Sequence, residues 1–488
     1  MRTALVSGLV RELLRFLGYG LLGSFVVALI IYVRFLDSRP ALSVWHLAHL
    51  DEEYTAESKV ADFSQYLALE ERLFAQLDRR VYAEVSGGPG NSINRYSRGS
   101  LSDPQRWPVN WNRSFVLPRN SPAAGVLLLH GLSDSPYSMR ALGEALHGAG
   151  AWVLGLRIPG HGTAPAGLVE IRWQDMAAAV RLAATHVQNA VGEKPLYVVG
   201  YSNGGALAME YSLSTLVDAS LPRPAGVVLI SPEIGVSPAA ALAVWQARLG
   251  HLLGLEKLAW NSVLPEYDPF KYASFAVNAG DLAHRITARI QKQLDTLQGA
   301  GKLEQLPRIL AFQSSVDVTV SPRALVENLF ARLPPAGHEL VLFDINRGVA
   351  AEGMLRNDPR TVFDPLLGEV GRAFDLTVVG NEREGSARVL ARTELHGKNG
   401  FKEPIALNDW PPGVYSLSHV ALPFPPDDPV YGGPAAGKSP GVQLGNLALR
   451  GEVGVLRVSG SDLLRLRWNP FFDYVKARVV EFMGLGQP

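Results

Sequence analysis

The sequence predicts an α/β protein in which helices cover both faces of a mostly parallel sheet, with an apolar helix ahead of it. From Arg113 onward, short apolar runs alternate with stretches of helical spacing, which is the pattern of such a sheet. One apolar run, Leu196–Val199, ends in a G-x-S-x-G sequence and leads directly into a helical stretch. Near the amino terminus, Phe16–Val33 is an uncharged, mostly apolar run. We therefore expect a membrane-associated helix followed by one large α/β domain.

Composition narrows the class of protein. The chain has 488 residues, of which 47% are hydrophobic and 19% charged, so a globular fold with a sizeable core is expected. Lys and Arg (46) balance Asp and Glu (46), which removes the positive excess typical of nucleic-acid binding. The chain contains no cysteine, which excludes disulfides, a thiolate nucleophile and cysteine-ligated metals.

The Phe16–Val33 run predicts a membrane anchor within residues 1–40. As a helix it is roughly 27 Å long, close to the hydrocarbon thickness of about 30 Å. Arg2, Arg11 and Arg15 precede it, which favours a cytoplasmic amino terminus and an exported body, periplasmic in a Gram-negative bacterium. The alternative is a cleaved signal peptide, for which the apolar run is long and no small-x-small cleavage site follows. We expect a retained, single-pass anchor.

The G-x-S-x-G sequence, Gly200–Gly204, predicts a nucleophile elbow around Ser202. The two glycines allow a sharp turn between strand and helix, and the helix amino terminus favours developing negative charge. Gly437–Gly441 also matches the pattern, but no strand precedes it and Pro440 stands where the helix would begin.

That second match extends back to Gly432 as a phosphate-binding P-loop pattern. A P-loop needs a buried strand before it and a helix after it, and neither is predicted here. We therefore expect a glycine-rich surface loop over Gly432–Gly441.

Four motifs follow predicted strands in order: His130-Gly131, Pro159–Gly162, Gly200–Gly205, and an Asp-x-x-Val-x-Pro loop at Asp317. With these motifs the sequence resembles the α/β-hydrolase family, most closely its monoacylglycerol-lipase and serine-aminopeptidase-like branch, over Arg113–Asn346. The resemblance implies that Ser202 is the nucleophile and that the backbone N–H groups of Leu132 and Asn203 form the oxyanion hole. It also implies structural roles for His130 and His161.

Asp317 is the predicted acid. It follows the apolar run Arg308–Gln313, so it stands where the family carries its acid at the end of a strand. A helix-capping aspartate is the alternative interpretation of the same residue.

The base departs from the family pattern. The family presents its histidine just after the strand that Glu339–Phe343 represents, but Asp344–Arg347 follows here without one. Two histidines remain: His396 in a polar turn, and His419 in Val414–Phe424, an apolar, strand-like stretch expected to enter the core. We predict His419, which also preserves the family order of nucleophile, acid and base, and keep His396 as the alternative.

The predicted domain organisation has three parts. Residues 1–40 form the anchor and residues 51–112 a helical and irregular connecting segment. Residues 113–488 form the hydrolase domain, with a helical lid at about 234–306 and an insertion at about 348–412. Lid residues expected either to line an acyl pocket or to form the core of a helical cap are Trp245, Leu249, Leu252, Leu253 and Trp260.

The predicted function is that of a membrane-anchored serine hydrolase that cleaves carboxylic esters, with lipid-like esters favoured by the anchor. The triad is Ser202, Asp317 and His419, and the chemistry requires no metal or organic cofactor. Two alternatives stay open: a peptidase of the aminopeptidase type on the same machinery, and a catalytically silent, membrane-tethered binding protein, suggested by the missing histidine after Phe343. The substrate's acyl and alcohol parts and the oligomeric state are not predicted.

Overall fold

The computed structural model describes residues 2–38, 40–235, 256–348, 358–361, 372–397, 400–447 and 459–486. A central sheet joins ten strands in the order β1-β3-β2-β4-β5-β8-β9-β10-β11-β12, and β6 and β7 form a separate pair. The strands are β1 (Phe115–Leu117), β2 (Ala124–Leu129), β3 (Ala151–Leu156), β4 (Leu196–Tyr201), β5 (Gly226–Ile230), β6 (Trp260–Ser262), β7 (Phe275–Ala276), β8 (Arg308–Ser314), β9 (His338–Phe343), β10 (Phe374–Asn381), β11 (Val389–Glu394) and β12 (Ile405–Ala406).

The longer helices are α1 (Arg2–Asp37), α2 (Phe63–Arg80), α3 (Arg140–Gly148), α4 (Trp173–Val191), α5 (Asn203–Ser214), α6 (Val277–Gly299), α7 (Pro322–Asn328) and α8 (Phe472–Met483). Single-turn helices span Val44–Leu47, Gly167–Glu170 and Gly460–Leu463.

The strands from β3 through β10 in the sheet order pair in parallel. At the two edges, β1 pairs antiparallel with β3, β11 with β10, and β12 with β11. Strands β2, β3, β4 and β5 are buried along their whole length, as expected for a parallel sheet covered on both faces. The predicted fold class is therefore confirmed. In such a sheet the carboxyl ends of the strands share one edge, where ligand sites form.

Two apolar clusters cover the two faces of the sheet. On one face α2, α4, α5 and α6 pack together, and on the other α3 and α8 do. The helices approach closely where the strands carry glycine. A Cβ on Gly125 of β2 would lie 2.6 Å from the Val187 side chain of α4, so this contact requires glycine.

Part of the predicted insertion belongs to the central sheet. Strand β10 pairs in parallel with β9, with Leu376 opposite Leu340, and β11 returns beside it. Strands β10 and β11 thus extend the sheet beyond β9.

Helix α1 contains a span, Leu14–Phe35, with a mean hydropathy of 2.2 and no buried residue. By length and composition it is able to cross a membrane, and the same properties suit a membrane anchor or a signal sequence.

The amino-terminal segment (residues 40–85) packs on the α/β core. Asp62 caps the amino terminus of α2 by accepting the N–H of Gln65, and the α2 side chains Phe63 and Tyr66 are buried in the core. The Tyr66 hydroxyl donates to the Arg157 carbonyl across 2.6 Å. Helix α2 is therefore part of the domain's packing.

A buried ion cluster also attaches this segment. Arg157, which follows β3, is fully buried and lies 2.9 Å from Glu53 and 3.0 Å from Glu70. Glu70 also accepts the N–H and hydroxyl of Ser114. Removing one partner would leave an uncompensated buried charge, which is strongly destabilising.

Between β5 and β8 the structure describes residues 256–306, here called the cap segment. The lid positions Trp245, Leu249, Leu252 and Leu253 lie outside the described residues. Trp260 lies in β6 and is 2% exposed, with its ring 4.8 Å from the His46 ring. It therefore belongs to the core of the cap.

Candidate active site

Ser202 stands at a sharp turn between β4 and α5. Its φ of 54° lies in the left-handed region, which is uncommon for a residue with a side chain and is typical of a strained nucleophile elbow. A Cβ on Gly204 would overlap the carbonyl oxygens of Leu129 and His130, and a Cβ on Gly200 would overlap the backbone of Gly204. Only glycine fits at both positions, so the turn brings the serine to the carboxyl edge of the sheet.

Asp317 follows β8 at the same edge, and both oxygens of its carboxylate accept hydrogen bonds. Oδ1 accepts the N–H groups of Thr319 (2.8 Å) and Val320 (3.1 Å), and Oδ2 accepts the Gln313 side-chain amide (3.0 Å). Burial favours a higher pKa, but the hydrogen bond and charge of His419 and the two N–H donors outweigh it, so the pKa of Asp317 lies below its ordinary value.

His419 bridges the two residues. Its Nδ1 lies 2.8 Å from Asp317 Oδ2, and its Nε2 lies 3.0 Å from Ser202 Oγ. A carboxylate only accepts, so Nδ1 carries the proton and Nε2 is left to accept the serine hydroxyl. The imidazole is 5% exposed and therefore held by packing.

The predicted strand around His419 is wrong. Val414–Leu417 has no regular secondary structure, and His419–Ala421 forms a 3-10 turn. Residues 414–421, here called the base segment, are positioned by hydrogen bonds to the sheet edge. Ser314 Oγ donates to the Leu417 carbonyl across 2.8 Å, and Tyr201 OH to the His419 carbonyl across 3.4 Å.

A further tether comes from Asn346, which stands where the resemblance expects the base. Its N–H donates to the Tyr415 carbonyl (2.7 Å) and its side-chain amide to the Val414 carbonyl (2.8 Å). After β9 the chain adds β10, β11 and β12 to the sheet, and it then returns to Asn346 with the segment that carries His419.

The alternative base, His396, lies away from this cluster. It follows β11, whose Glu394 pairs with Leu376 near the start of β10, so it belongs to the end of the sheet where the parallel strands begin. Its N–H donates to Asp375 Oδ1 across 2.8 Å. The structure brings Ser202, Asp317 and His419 together and leaves His396 at the opposite edge.

The two predicted oxyanion donors flank the nucleophile. Asn203 begins α5, where a helix offers its first N–H groups no internal acceptor. Leu132 follows Gly131, and a Cβ on Gly131 would lie 3.1 Å from the Ser202 Cβ. Among the described residues, no backbone or side-chain acceptor takes the Leu132 N–H. Both donors are therefore available to an anion beside Ser202.

Comparison with known proteins is consistent with this geometry. Residues 120–345 match the family model described as serine aminopeptidase, S33. The strand order, the elbow and this match agree on the fold. This chain has the α/β-hydrolase fold.

A thermostable monoacylglycerol lipase from Bacillus sp. (strain H-257) is 29% identical over 137 residues, which make up 28% of this chain and 51% of that lipase. This chain thus spans about half the length of the curated relative it matches.

Two solved structures are also similar. A monoacylglycerol lipase from Paleococcus ferrophilus is 20% identical with a TM-score of 0.35, covering 48% of this chain and 89% of its own. A soluble variant of monoglyceride lipase from Saccharomyces cerevisiae is 17% identical with a TM-score of 0.36, covering 47% of this chain and 82% of its own. At TM-scores below 0.5 these likenesses carry no weight for function.

Two further histidines of this chain, His130 and His161, lie near the elbow without a hydrogen bond to Ser202. His130 accepts the Ile158 N–H at Nε2 (3.0 Å) and donates from Nδ1 to the Gly131 carbonyl (2.9 Å). His161 donates from Nδ1 to the Pro159 carbonyl (3.0 Å). Burial lowers the pKa of both, that of His161 to about 4, so each is neutral near pH 7.

Sequence reasoning missed several charged residues around the elbow. Glu233 follows β5, accepts the Asn203 side-chain amide at 2.9 Å, and donates its own N–H to the Ser202 carbonyl at 3.0 Å. Burial raises the pKa of Glu233. Its position just past a strand of the parallel sheet is the signal that could have identified it. The Asp134–Lys271 ion pair was also missed, because its members are far apart in sequence.

Within the described ranges, no group of three His, Asp or Glu side chains is arranged to hold a metal ion.

Proposed function

We propose that this α/β-hydrolase is a serine hydrolase that cleaves carboxylic esters through Ser202, His419 and Asp317. The observation that carries the proposal is the continuous hydrogen-bond chain from Asp317 through His419 to Ser202 at the carboxyl edge of the sheet. An unactivated serine is a weak nucleophile, and a neighbouring imidazole oriented by a carboxylate is the arrangement that activates it.

In this mechanism Ser202 Oγ attacks the ester carbonyl carbon while His419 Nε2 accepts the hydroxyl proton. The ionised Asp317 stabilises the imidazolium that results. The oxyanion of the tetrahedral intermediate accepts hydrogen bonds from the Leu132 and Asn203 N–H groups, at the positive end of α5. His419 then protonates the leaving alcohol. Water attacks the acyl-enzyme by the same route and frees Ser202.

The proposal includes a retained anchor in α1 (residues 1–40) and an exported domain comprising residues 51–112 and 113–488. Support comes from the apolar span of α1 and from the short connection between Asp37 and Ser43, where the packed single-turn helix begins. This connection keeps the hydrolase domain near the membrane surface, where lipid-like esters are concentrated. The monoacylglycerol-lipase relative from Bacillus supports the same substrate class.

The experiment uses the full chain in detergent micelles, with a fluorophosphonate probe and a p-nitrophenyl ester as substrate. Ser202→Ala is expected to abolish labelling, and both Ser202→Ala and His419→Ala to lower kcat by about 10⁴-fold or more. His396→Ala is the matched control and keeps wild-type activity. An aminoacyl p-nitroanilide tests the peptidase alternative. A folded wild-type chain that neither labels nor hydrolyses the ester would favour the silent binding protein.

A further inference from the structure

A buried carboxylate lies beside the oxyanion hole of the proposed hydrolase. Asp134 belongs to the oxyanion loop (Gly131–Ser135), and its side chain is 7% exposed. The point where a Cβ would stand on Gly131 lies 2.8 Å from Asp134 Oδ2 and 3.1 Å from the Ser202 Cβ. The carboxylate and the nucleophile therefore contact the same side of Gly131.

This position is unfavourable for a negative charge. The tetrahedral intermediate places an oxyanion on the N–H groups of Leu132 and Asn203, within the same small volume. Two like charges at short range in a poorly solvated site repel each other strongly. Unless something neutralises it, Asp134 would oppose the transition state that its own loop stabilises.

The cap segment supplies the opposite charge. Lys271 Nζ lies 2.8 Å from Asp134 Oδ1, and the lysine side chain is 29% exposed. Burial raises the pKa of Asp134 above its ordinary value, and the Lys271 ammonium opposes this rise without cancelling it. The two residues are 137 positions apart, so the pair joins the cap segment to the oxyanion loop.

The backbone around Lys271 fixes its location. The Tyr272 N–H donates to the Ser133 carbonyl across 2.8 Å, which connects the cap segment to the oxyanion loop a second time. The Tyr272 hydroxyl accepts the Thr163 N–H (2.8 Å), and the Lys271 N–H donates to Asp268 Oδ1 (3.1 Å). Ser133 has a φ of 64°, so this loop adopts an uncommon left-handed turn that these contacts stabilise.

We propose that Lys271 is a positioning residue for ester hydrolysis. It neutralises the Asp134 carboxylate, so that no net negative charge faces the oxyanion. The cap segment thereby contributes to transition-state stabilisation without touching the reacting atoms. This role rests on the serine-hydrolase function proposed above.

The test is a double-mutant cycle in the full chain, with kcat and KM measured on a p-nitrophenyl ester. Lys271→Met is expected to lower kcat about 10-fold or more with KM within about 2-fold, since an uncompensated charge opposes the transition state. Asp134→Asn is expected to stay within about 3-fold of wild type. The double variant Lys271→Met/Asp134→Asn is expected to regain most of the lost kcat, and Lys271→Arg to retain it.

Rescue by the double variant separates a charge effect from loss of structure, because the double variant lacks the same lysine contacts as Lys271→Met. A double variant no faster than Lys271→Met, or a Lys271→Met variant with wild-type kcat, would overturn the proposal. If Lys271→Met does not fold, the double variant decides alone: near-wild-type kcat supports the role and a large loss rejects it. A wild-type chain without esterase activity would overturn the proposed ester hydrolysis and this role together.

Discussion

The nucleophile and the base of the proposed triad are positioned in opposite ways. The position of Ser202 is determined by its immediate neighbours, because the five-residue turn has room for only glycine at Gly200 and Gly204. His419 lies 217 residues away in sequence and sits in a segment without a regular strand or long helix. Its location depends on hydrogen bonds to the ends of β4, β8 and β9.

This difference predicts different sensitivities to mutation. The elbow depends on backbone space, so adding a single carbon there is expected to destroy it. The base segment depends on several separate hydrogen bonds, so losing one is expected to loosen the histidine while the fold survives. The following variants test that contrast, from the largest expected effect to the smallest.

Gly204→Ala is expected to remove activity and to lower the free energy of unfolding by about 3 kcal/mol or more, because the new Cβ would overlap the Leu129 and His130 carbonyls. Chemical denaturation and ester hydrolysis measure the two effects. Gly280→Ala is the matched control: a Cβ there meets nothing within 4 Å in α6, so it is expected to stabilise the chain by roughly 0.5–1 kcal/mol. A stable, active Gly204→Ala variant would contradict the local account of the elbow.

Asn346→Ala is expected to lower kcat about 10-fold or more while the fold persists, since a small misplacement of a catalytic group has large effects on rate. The substitution removes the amide donor to the Val414 carbonyl and costs about 1–2 kcal/mol of stability. Steady-state kinetics on a p-nitrophenyl ester, with thermal unfolding alongside, provides the measurement.

Asn408→Ala is the control for that variant. Asn408 makes a single 3.5 Å contact with the Pro470 carbonyl, and its loss is expected to leave kcat within about 2-fold of wild type. Equal kcat for the Asn346→Ala variant and wild type would show that the base segment needs no tether from β9.

His46 extends this comparison to the amino-terminal segment (residues 40–85). Its Nδ1 accepts the Ser43 N–H (2.9 Å), and its Nε2 donates to Ser274 Oγ (3.0 Å), a residue 228 positions away in the cap segment. Burial lowers the pKa of His46 to about 4. The unfolded chain therefore binds more protons than the folded one at pH values between about 4 and the ordinary value of about 6.5.

The stability contributed by neutral His46 is thus complete above about pH 6.5 and declines as the pH falls towards 4. We expect the Tm of the full chain to fall between pH 7.5 and pH 5, and to fall less in a His46→Gln variant. His49→Gln serves as the control, since its side chain is 67% exposed and its ion pairs are weak at the surface. Identical pH dependence in wild type and His46→Gln would exclude His46 as a contributor.

Much of the fold could be predicted because its signals are local. Apolar runs of strand length, alternating with helical spacing, indicated the parallel sheet, and Gly200–Gly204 indicated the elbow. The structure departs from the sequence-based expectation at the base segment, where the apolar run around Leu417 predicts a strand and none forms. Leu417 and His419 are buried there because their carbonyls accept hydrogen bonds from Ser314 and Tyr201 at the sheet edge, contacts that no local pattern encodes.

The sequence alone determined the apolar runs that form the strands, the elbow around the proposed nucleophile Ser202 and the apolar amino-terminal helix, since each depends on residues within a few positions of one another. It favoured His419 over His396 by its apolar surroundings without showing how either reaches Ser202. Only the tertiary structure joined His419 to Ser202 and placed His396 at the opposite edge. The same holds for Lys271 and Asp134, because an ion pair across 137 residues exists only once the cap segment has packed on the sheet.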